Sequence, residues 1–179
     1  MQLTERAALF IDGSNFHGTV KLLGLNIDYV RLLDYFRDQH HLIRAYYYTA
    51  LPDPSETAPL RKLIDFLDYN GYAVVSKQTK EFIEPTTGRV RVKGNMDMEL
   101  ALDMLKLAPH IDHAYLFSGD GDFSRLLSEV QDMGVRVTVV SSVKTSPNMV
   151  ADTLRRQADC FIDLTDIAHL VTRDNVAHA

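Results

Sequence analysis

Short, nearly continuous apolar runs alternate along this chain with stretches whose apolar positions recur at helical spacing. "AALFID" (7–12) is a strand-like run that ends in the polar turn "DGSN". Residues 29–38, "YVRLLDYFRD", set Val30, Leu33 and Phe36 at helical spacing among Arg31, Asp34 and Arg37. "LIRAYYYTAL" (42–51) is rich in strand formers and is stopped by Pro52 and Pro54. The helix signature "APLRKLIDFLDYNG" follows, with Leu60, Leu63, Ile64 and Leu67 on one face and Asn70-Gly71 as its stop. The pattern continues with strand "YAVVSK", an excursion through 79–94, helix 96–108, strand "AYLFS" and helix 123–133. Strand "VRVTVVS", a helix from about 147 to 157 and a short strand "CFIDL" close it.

Repeated β–α–β units whose strands are apolar throughout predict a parallel sheet covered on both faces, an open three-layer α/β/α sandwich. One domain is expected over residues 1–170, with 171–179, "VTRDNVAHA", as a frayed tail.

Composition narrows the partner classes. The 179 residues are 46% apolar and 24% charged, ordinary for a globular protein. A net charge of −5 removes the easy argument for nucleic-acid binding, which rests on a basic surface. It does not exclude such binding, because carboxylates that hold a metal ion count as negative although the loaded site does not repel phosphate. The single cysteine, Cys160, cannot form an internal disulfide, and no apolar stretch approaches the roughly 18 residues that span a membrane. A soluble, cytoplasmic protein is the expectation.

In open α/β sheets, ligands bind beyond the carboxyl ends of strands, where strand order reverses. Asp12 ends the first strand in "LFIDGSN", and Asp120 and Asp122 follow the fourth in "YLFSGDGD". Alone, Asp12 reads equally well as a turn residue. The helix 96–108, "MDMELALDMLKLA", adds a sharper signal. Glu99, Asp103 and Lys106 share a narrow arc that reads as a solvated face, whereas Asp97 falls in the middle of the apolar arc. A carboxylate aimed inward needs a partner, and a metal ion is the best candidate, with compensation by the helix dipole or a capping role as the alternatives. Histidines offer less. His40-His41 sits at a helix–strand junction and His110 and His113 flank a loop, and each reads as a surface residue.

Three stretches in this order, "FIDGSN", "KGNMDMELALDML" and "LFSGDGDFSRLL", resemble the NYN-domain family of PIN-like nucleases, in particular its bacterial LabA-like branch. The resemblance extends through "GVRVTVVS" to "LRRQADCFIDL". It implies a parallel sheet in the order 3-2-1-4-5, an acidic cluster binding Mg²⁺ or Mn²⁺, and metal-dependent cleavage of RNA. Carried onto this chain, it implies Asp12, Asp97, Asp120 and Asp122 as metal ligands and catalytic residues. It further implies Asn15 and Ser118 as polar supports lining the substrate site. Carboxylate oxygens suit a hard cation that keeps waters of its own.

The excursion "KQTKEFIEPTTGRVRVK" (77–93) reads as a β-hairpin turning at "PTTG". Its Lys77, Lys80, Arg89, Arg91 and Lys93 outnumber Glu81 and Glu84, so it either contacts a phosphate backbone or is a routine solvated hairpin. Lys93 and Arg91 stand nearest Asp97 and are the substrate-contact candidates; Arg155 and Arg156 are weaker ones. The expected partner is single-stranded RNA, with no membrane and with a homodimer left open. A catalytically weak, metal-binding RNA or protein interaction module is the alternative. An EF-hand fails on spacing, since Arg125 and Gln131 fall where Gly and Glu are required.

Overall fold

The computed structural model describes residues 5–52 and 58–173, and of residues 91–93 the backbone only. In chain order the elements are β1 (Arg6–Asp12), α1 (Gly13–Leu22), α2 (Tyr29–Arg37), β2 (His41–Leu51), α3 (Ala58–Tyr69) and β3 (Ala73–Gln78). The hairpin β4 (Lys80–Ile83) and β5 (Val90–Lys93) precedes α4 (Asp97–Leu107) and β6 (His113–Phe117). Then come α5 (Ser124–Asp132), β7 (Arg136–Ser141), α6 (Asp152–Gln157), β8 (Cys160–Asp163) and α7 (Leu164–Val171).

The main sheet is parallel throughout, in the order β3-β2-β1-β6-β7-β8, and the hairpin forms a separate antiparallel pair. Without the hairpin strands the order reads 3-2-1-4-5, as expected, with β8 added as a sixth strand beside β7. Side chains alternate across each strand, so the sheet feeds two cores. Leu9, Ile11, Phe117 and Val140 meet Phe16, Leu32, Phe36 and Ile167 on the face covered by α1, α2, α3 and α7. Phe10, Leu116, Val137 and Val139 meet Leu100, Met104, Leu127 and Leu154 on the face of α4, α5 and α6. The three consecutive tyrosines obey the same rule. Tyr47 joins the first core and Tyr48 the second, and both are buried.

Two helices were not expected from the pattern. Each starts directly at a strand's terminal aspartate. Asp12 accepts from the Asn15 N–H to cap α1, and Asp163 accepts from the Thr165 N–H to cap α7. Conversely, the helix expected from 147 is formed only over α6. Before it, Thr145 Oγ1 accepts from the Met149 N–H at 3.1 Å and Asn148 Oδ1 from the Val150 N–H at 3.2 Å. Such side-chain bonds offer the backbone an alternative to the helical ladder. The chain also stays ordered further than the tail reading has it. Val171 is buried, Thr172 bridges Ile27, and the Arg173 N–H donates to the Asn26 carbonyl. Residues 174–179 of that expected tail lie outside the described residues.

Asp163 illustrates how these caps answer to pH. Burial pushes its carboxyl up, but hydrogen bonds from Thr165, Val143 and Ser142 together outweigh it and hold the group below the ordinary 3.8. A carboxylate depressed in the folded state stabilises the fold above its unfolded value and ceases to do so as pH falls through its folded value. Asp163→Asn is therefore expected to flatten the fall of melting temperature below about pH 4. Asp163→Ala is expected to cost about 1 kcal/mol at neutral pH. Thermal melts at stepped pH read both, and an acid limb as steep in the Asn variant as in the parent counts against this role.

Candidate functional site

The carboxyl ends of β1, β2 and β6 open onto a cleft of about 910 Å³. It lies at the reversal of strand order between β1 and β6. Asp12, Asp97 and Asp120 line it together with Asn15, Tyr47 and Tyr48. Each acid arrives by a different route. Asp12 is the last residue of β1, Asp97 the first of α4, and Asp120 opens the turn after β6.

Register explains the first meeting. Ile11 pairs with Phe117, so the following residues, Asp12 and Ser118, sit side by side. Ser118 Oγ donates to Asp12 Oδ2 at 2.8 Å, while Asp12 Oδ1 accepts from the Asn15 N–H at 3.3 Å. Asn15 Oδ1 in turn accepts from the Gly119 N–H at 2.9 Å, binding α1 to the loop that carries Asp120. Ser118 is only 1% exposed, so it supports the carboxylate from beneath and does not itself face the cleft. Asp120 Oδ1 accepts from the Asp122 N–H at 2.9 Å, and Asp122 is exposed.

Two glycines make this close approach. A Cβ on Gly13 would lie 2.5 Å from the Tyr48 carbonyl oxygen and 2.7 Å from the Tyr47 ring. One on Gly119 would lie 1.7 Å from the Met149 carbonyl oxygen. Both are positions where only the absence of a side chain lets the backbones pass.

Electrostatics ties the four acids together. Burial pushes Asp97 up to about 6, and repulsion from Asp12, Asp120, Asp122 and Glu99 adds to it. Asn95 Nδ2 donates to Asp97 Oδ2 at 3.0 Å. Burial also raises Asp12, against the hydrogen bonds of Ser118 and Asn15, and Asp120 raises it further. All the donors are carboxylate oxygens, and their mutual repulsion is what a divalent cation relieves. Among the described residues, no three of these acids bring one oxygen each within 4.8 Å of one another. In this arrangement no one ion could be ligated directly by three of them, so it would reach part of the cluster through its own waters, several of which Mg²⁺ keeps.

Other expected residues fall differently. Asp103, read as solvated, is half-buried and accepts from the Tyr48 hydroxyl at 3.1 Å. Glu99 pairs with Lys77 at 2.8 Å, which holds its carboxyl below the ordinary value and uses one of the hairpin's expected cations within the fold. Arg155 stacks on Phe161, and Arg156 pairs with Asp152. The side chains of Arg91 and Lys93 lie outside the described residues; their backbone forms β5. His41 and His110 are exposed as expected, but His40 and His113 are buried. The reading as surface histidines is corrected for these two, because His113 is the first residue of β6 and His40 packs against it.

A family model for the NYN domain matches residues 6–166. The chain belongs to the NYN domain family. It is 37% identical over 172 residues to the low amplitude and bright protein LabA of Synechococcus elongatus, covering 94% of this chain and 89% of that one. Its structure is similar to the crystal structure of a protein of unknown function from Vibrio parahaemolyticus. That match has a TM-score of 0.72 and 27% identity, over 92% of this chain and 96% of that one. Within this NYN domain the cleft also contains His17 and Met149, which no sequence motif singled out. His17 lies in the second turn of α1, so recognising Asp12 as a helix cap is the signal that would have found it.

Proposed function

We propose that this NYN domain is a metal-dependent ribonuclease that hydrolyses single-stranded RNA in the cleft, using Mg²⁺ or Mn²⁺ held by Asp12, Asp97, Asp120 and Asp122. The observation that carries this reading is the meeting of acids from separate elements around one cleft, where burial and, after it, their mutual repulsion raise Asp97 to about 6. Divalent ions there supply an activated water and neutralise charge on the scissile phosphate. The chain's own residues fix the carboxylates. Ser118 and the Asn15 N–H orient Asp12, Asn95 orients Asp97, and the Asp122 N–H orients Asp120. Lys80 and Arg89, with Arg91 and Lys93, place cationic residues on the hairpin that leads into Asp97, where they would hold the RNA backbone without sequence choice. Tyr47 and Tyr48, buried on opposite faces of β2, border the cleft at the carboxyl end of that strand.

Incubation of the protein with generic single-stranded RNA, in Mg²⁺, Mn²⁺ or a chelator, tests the reading. Cleavage is expected with either ion and not with the chelator. Cleavage that persists in the chelator overturns the mechanism, and metal-dependent binding without cleavage favours an interaction module instead. Cation binding also has a readout independent of turnover. Because the acids repel one another, millimolar Mn²⁺ is expected to raise the melting temperature of the parent chain more than that of an Asp97→Asn, Asp120→Asn double variant. Equal shifts in the two proteins count against a shared site.

A further inference from the structure

A second cluster lies at the opposite, amino-terminal end of the sheet. Glu5 directly precedes β1, His40 directly precedes β2, and His113 opens β6. Strand register brings them together, since Arg6 pairs with His41 and Ala7 with His113. His40 is 9% exposed and His113 5%. The Nδ1 atoms of both rings face the Glu5 carboxylate, at 3.0 Å from Oε2 for His40 and 3.5 Å from Oε1 for His113. One ligand atom from each of the three residues lies within 4.8 Å of the others.

Hydrogen bonding separates the two nitrogens of each ring. His40 Nε2 is 2.7 Å from the Tyr115 hydroxyl, and His113 Nε2 is 2.8 Å from Thr138 Oγ1. The two Nδ1 atoms, although buried, have no hydrogen bond of acceptable geometry. Buried polar nitrogens in native structures are nearly always satisfied, and here two of them share a single carboxylate within ion-pair reach. A doubly protonated pair would put two imidazolium charges at a ring separation of 5.5 Å in a buried place. A cation shared by neutral rings removes that repulsion and satisfies both nitrogens.

We propose that Glu5, His40 and His113 form a binding site for a divalent transition-metal ion, with Zn²⁺ the best match and a fourth position left to water. Ligands about 2.0–2.1 Å from a tetrahedral zinc lie roughly 3.3 Å apart. The observed 3.0 and 3.5 Å, each to a different oxygen of the Glu5 carboxylate, lie near that value, and one ligand atom from each residue falls within 4.8 Å of the others. Tyr115 and Thr138 then serve as the outer hydrogen-bond partners that metal-bound imidazoles almost always have, fixing Nε2 as the protonated nitrogen. The donor set also separates this site from the cleft, because imidazole nitrogen favours Zn²⁺ and its neighbours whereas an all-carboxylate cluster favours Mg²⁺ or Mn²⁺. Bound there, the ion ties together the amino ends of β1, β2 and β6, the three central strands on which the cleft is built.

The test uses the full chain stripped of metal by chelation and titrated with Zn²⁺ in a calorimeter and with Co²⁺ as a visible-absorption probe. With millimolar Mg²⁺ present to occupy the cleft, one tightly bound ion per chain is expected, with the absorption of four-coordinate Co²⁺ and a rise in melting temperature. Glu5→Gln, at a half-exposed position where the fold is expected to tolerate the change, and His113→Gln are each expected to weaken binding by at least about 100-fold. An Asp12→Asn, Asp120→Asn double variant is expected to bind Zn²⁺ as the parent does, so the outcome stands apart from that of the cleft. The proposal is overturned if the chain takes up no Zn²⁺ or Co²⁺, or if Glu5→Gln binds them as tightly as the parent. Loss of the ion in the double aspartate variant but not in Glu5→Gln overturns it too, by moving the ion to the cleft.

Discussion

Asp12→Asn is expected to lower divalent-cation-dependent RNA cleavage by on the order of 10²–10³-fold, the usual effect of removing one preorganised electrostatic group. The fold should remain. The carboxylate has two separable duties: its geometry caps α1 through the Asn15 N–H and docks against Ser118, and its charge contributes to the cluster. Asparagine keeps an oxygen for the cap and loses the charge. Asp12→Ala loses both, and is expected to lower stability by about 1 kcal/mol more than asparagine does. Ser118→Ala leaves the charge but frees its orientation, which predicts a smaller loss of about 10–100-fold. Single-turnover cleavage of a labelled RNA across a range of Mn²⁺ concentrations ranks the three variants. Parent-like cleavage by the asparagine variant would remove Asp12 from the mechanism.

Gly119→Ala is expected to cost about 3 kcal/mol. In a chain of this length that corresponds to a fall of roughly 6–12 °C in melting temperature. The new methyl would meet backbone on several sides, with the Met149 carbonyl oxygen at 1.7 Å and Val150 Cα at 2.7 Å. Neither can turn aside as a side chain can. The segment before α6 must move, and with it the bond from the Ala151 N–H to the Gly119 carbonyl at 2.8 Å. Activity should fall as well, because Gly119 lies between Ser118 and Asp120 and its N–H donates to Asn15. Gly18→Ala is the contrast. There the added carbon meets only the flexible end of Met149, at 3.1 Å, and alanine favours the helix. Equal melting temperatures for Gly119→Ala and the parent would refute the close-approach account.

Much of the fold was legible because parallel strands buried on both faces leave an unmistakable apolar run, as "AALFID" and "VRVTVVS" do. Helices α1 and α7 were not. Each is short and begins on the aspartate that ends a strand, so the capping signal was read as a turn at Asp12 and as part of the strand at Asp163. At the cleft, the position of Asp97 on its helix was readable because an acid on an apolar arc contradicts its surroundings. Asp103 was misread because nothing local reveals that the Tyr48 hydroxyl, on a distant strand, reaches it. The same limit hid His40 and His113. A histidine beside a strand boundary looks exposed until the register of neighbouring strands is known, and register is a property of pairing rather than of either segment.

Register also gives β1 a property of its own. At its start the Arg6 backbone and guanidinium are fastened to Asp112, and at its end Asp12 is fastened to Ser118. Both flanks are paired in between, to β2 and β6. Inserting one residue would push Asp12 along by about 3.3 Å and turn it to the other side of the sheet. Deleting one would do the reverse. Length variation is thus closed to this heptapeptide, while the turn between β4 and β5 can lengthen freely. Among related chains, gaps should accumulate in the hairpin and stop short of the first strand.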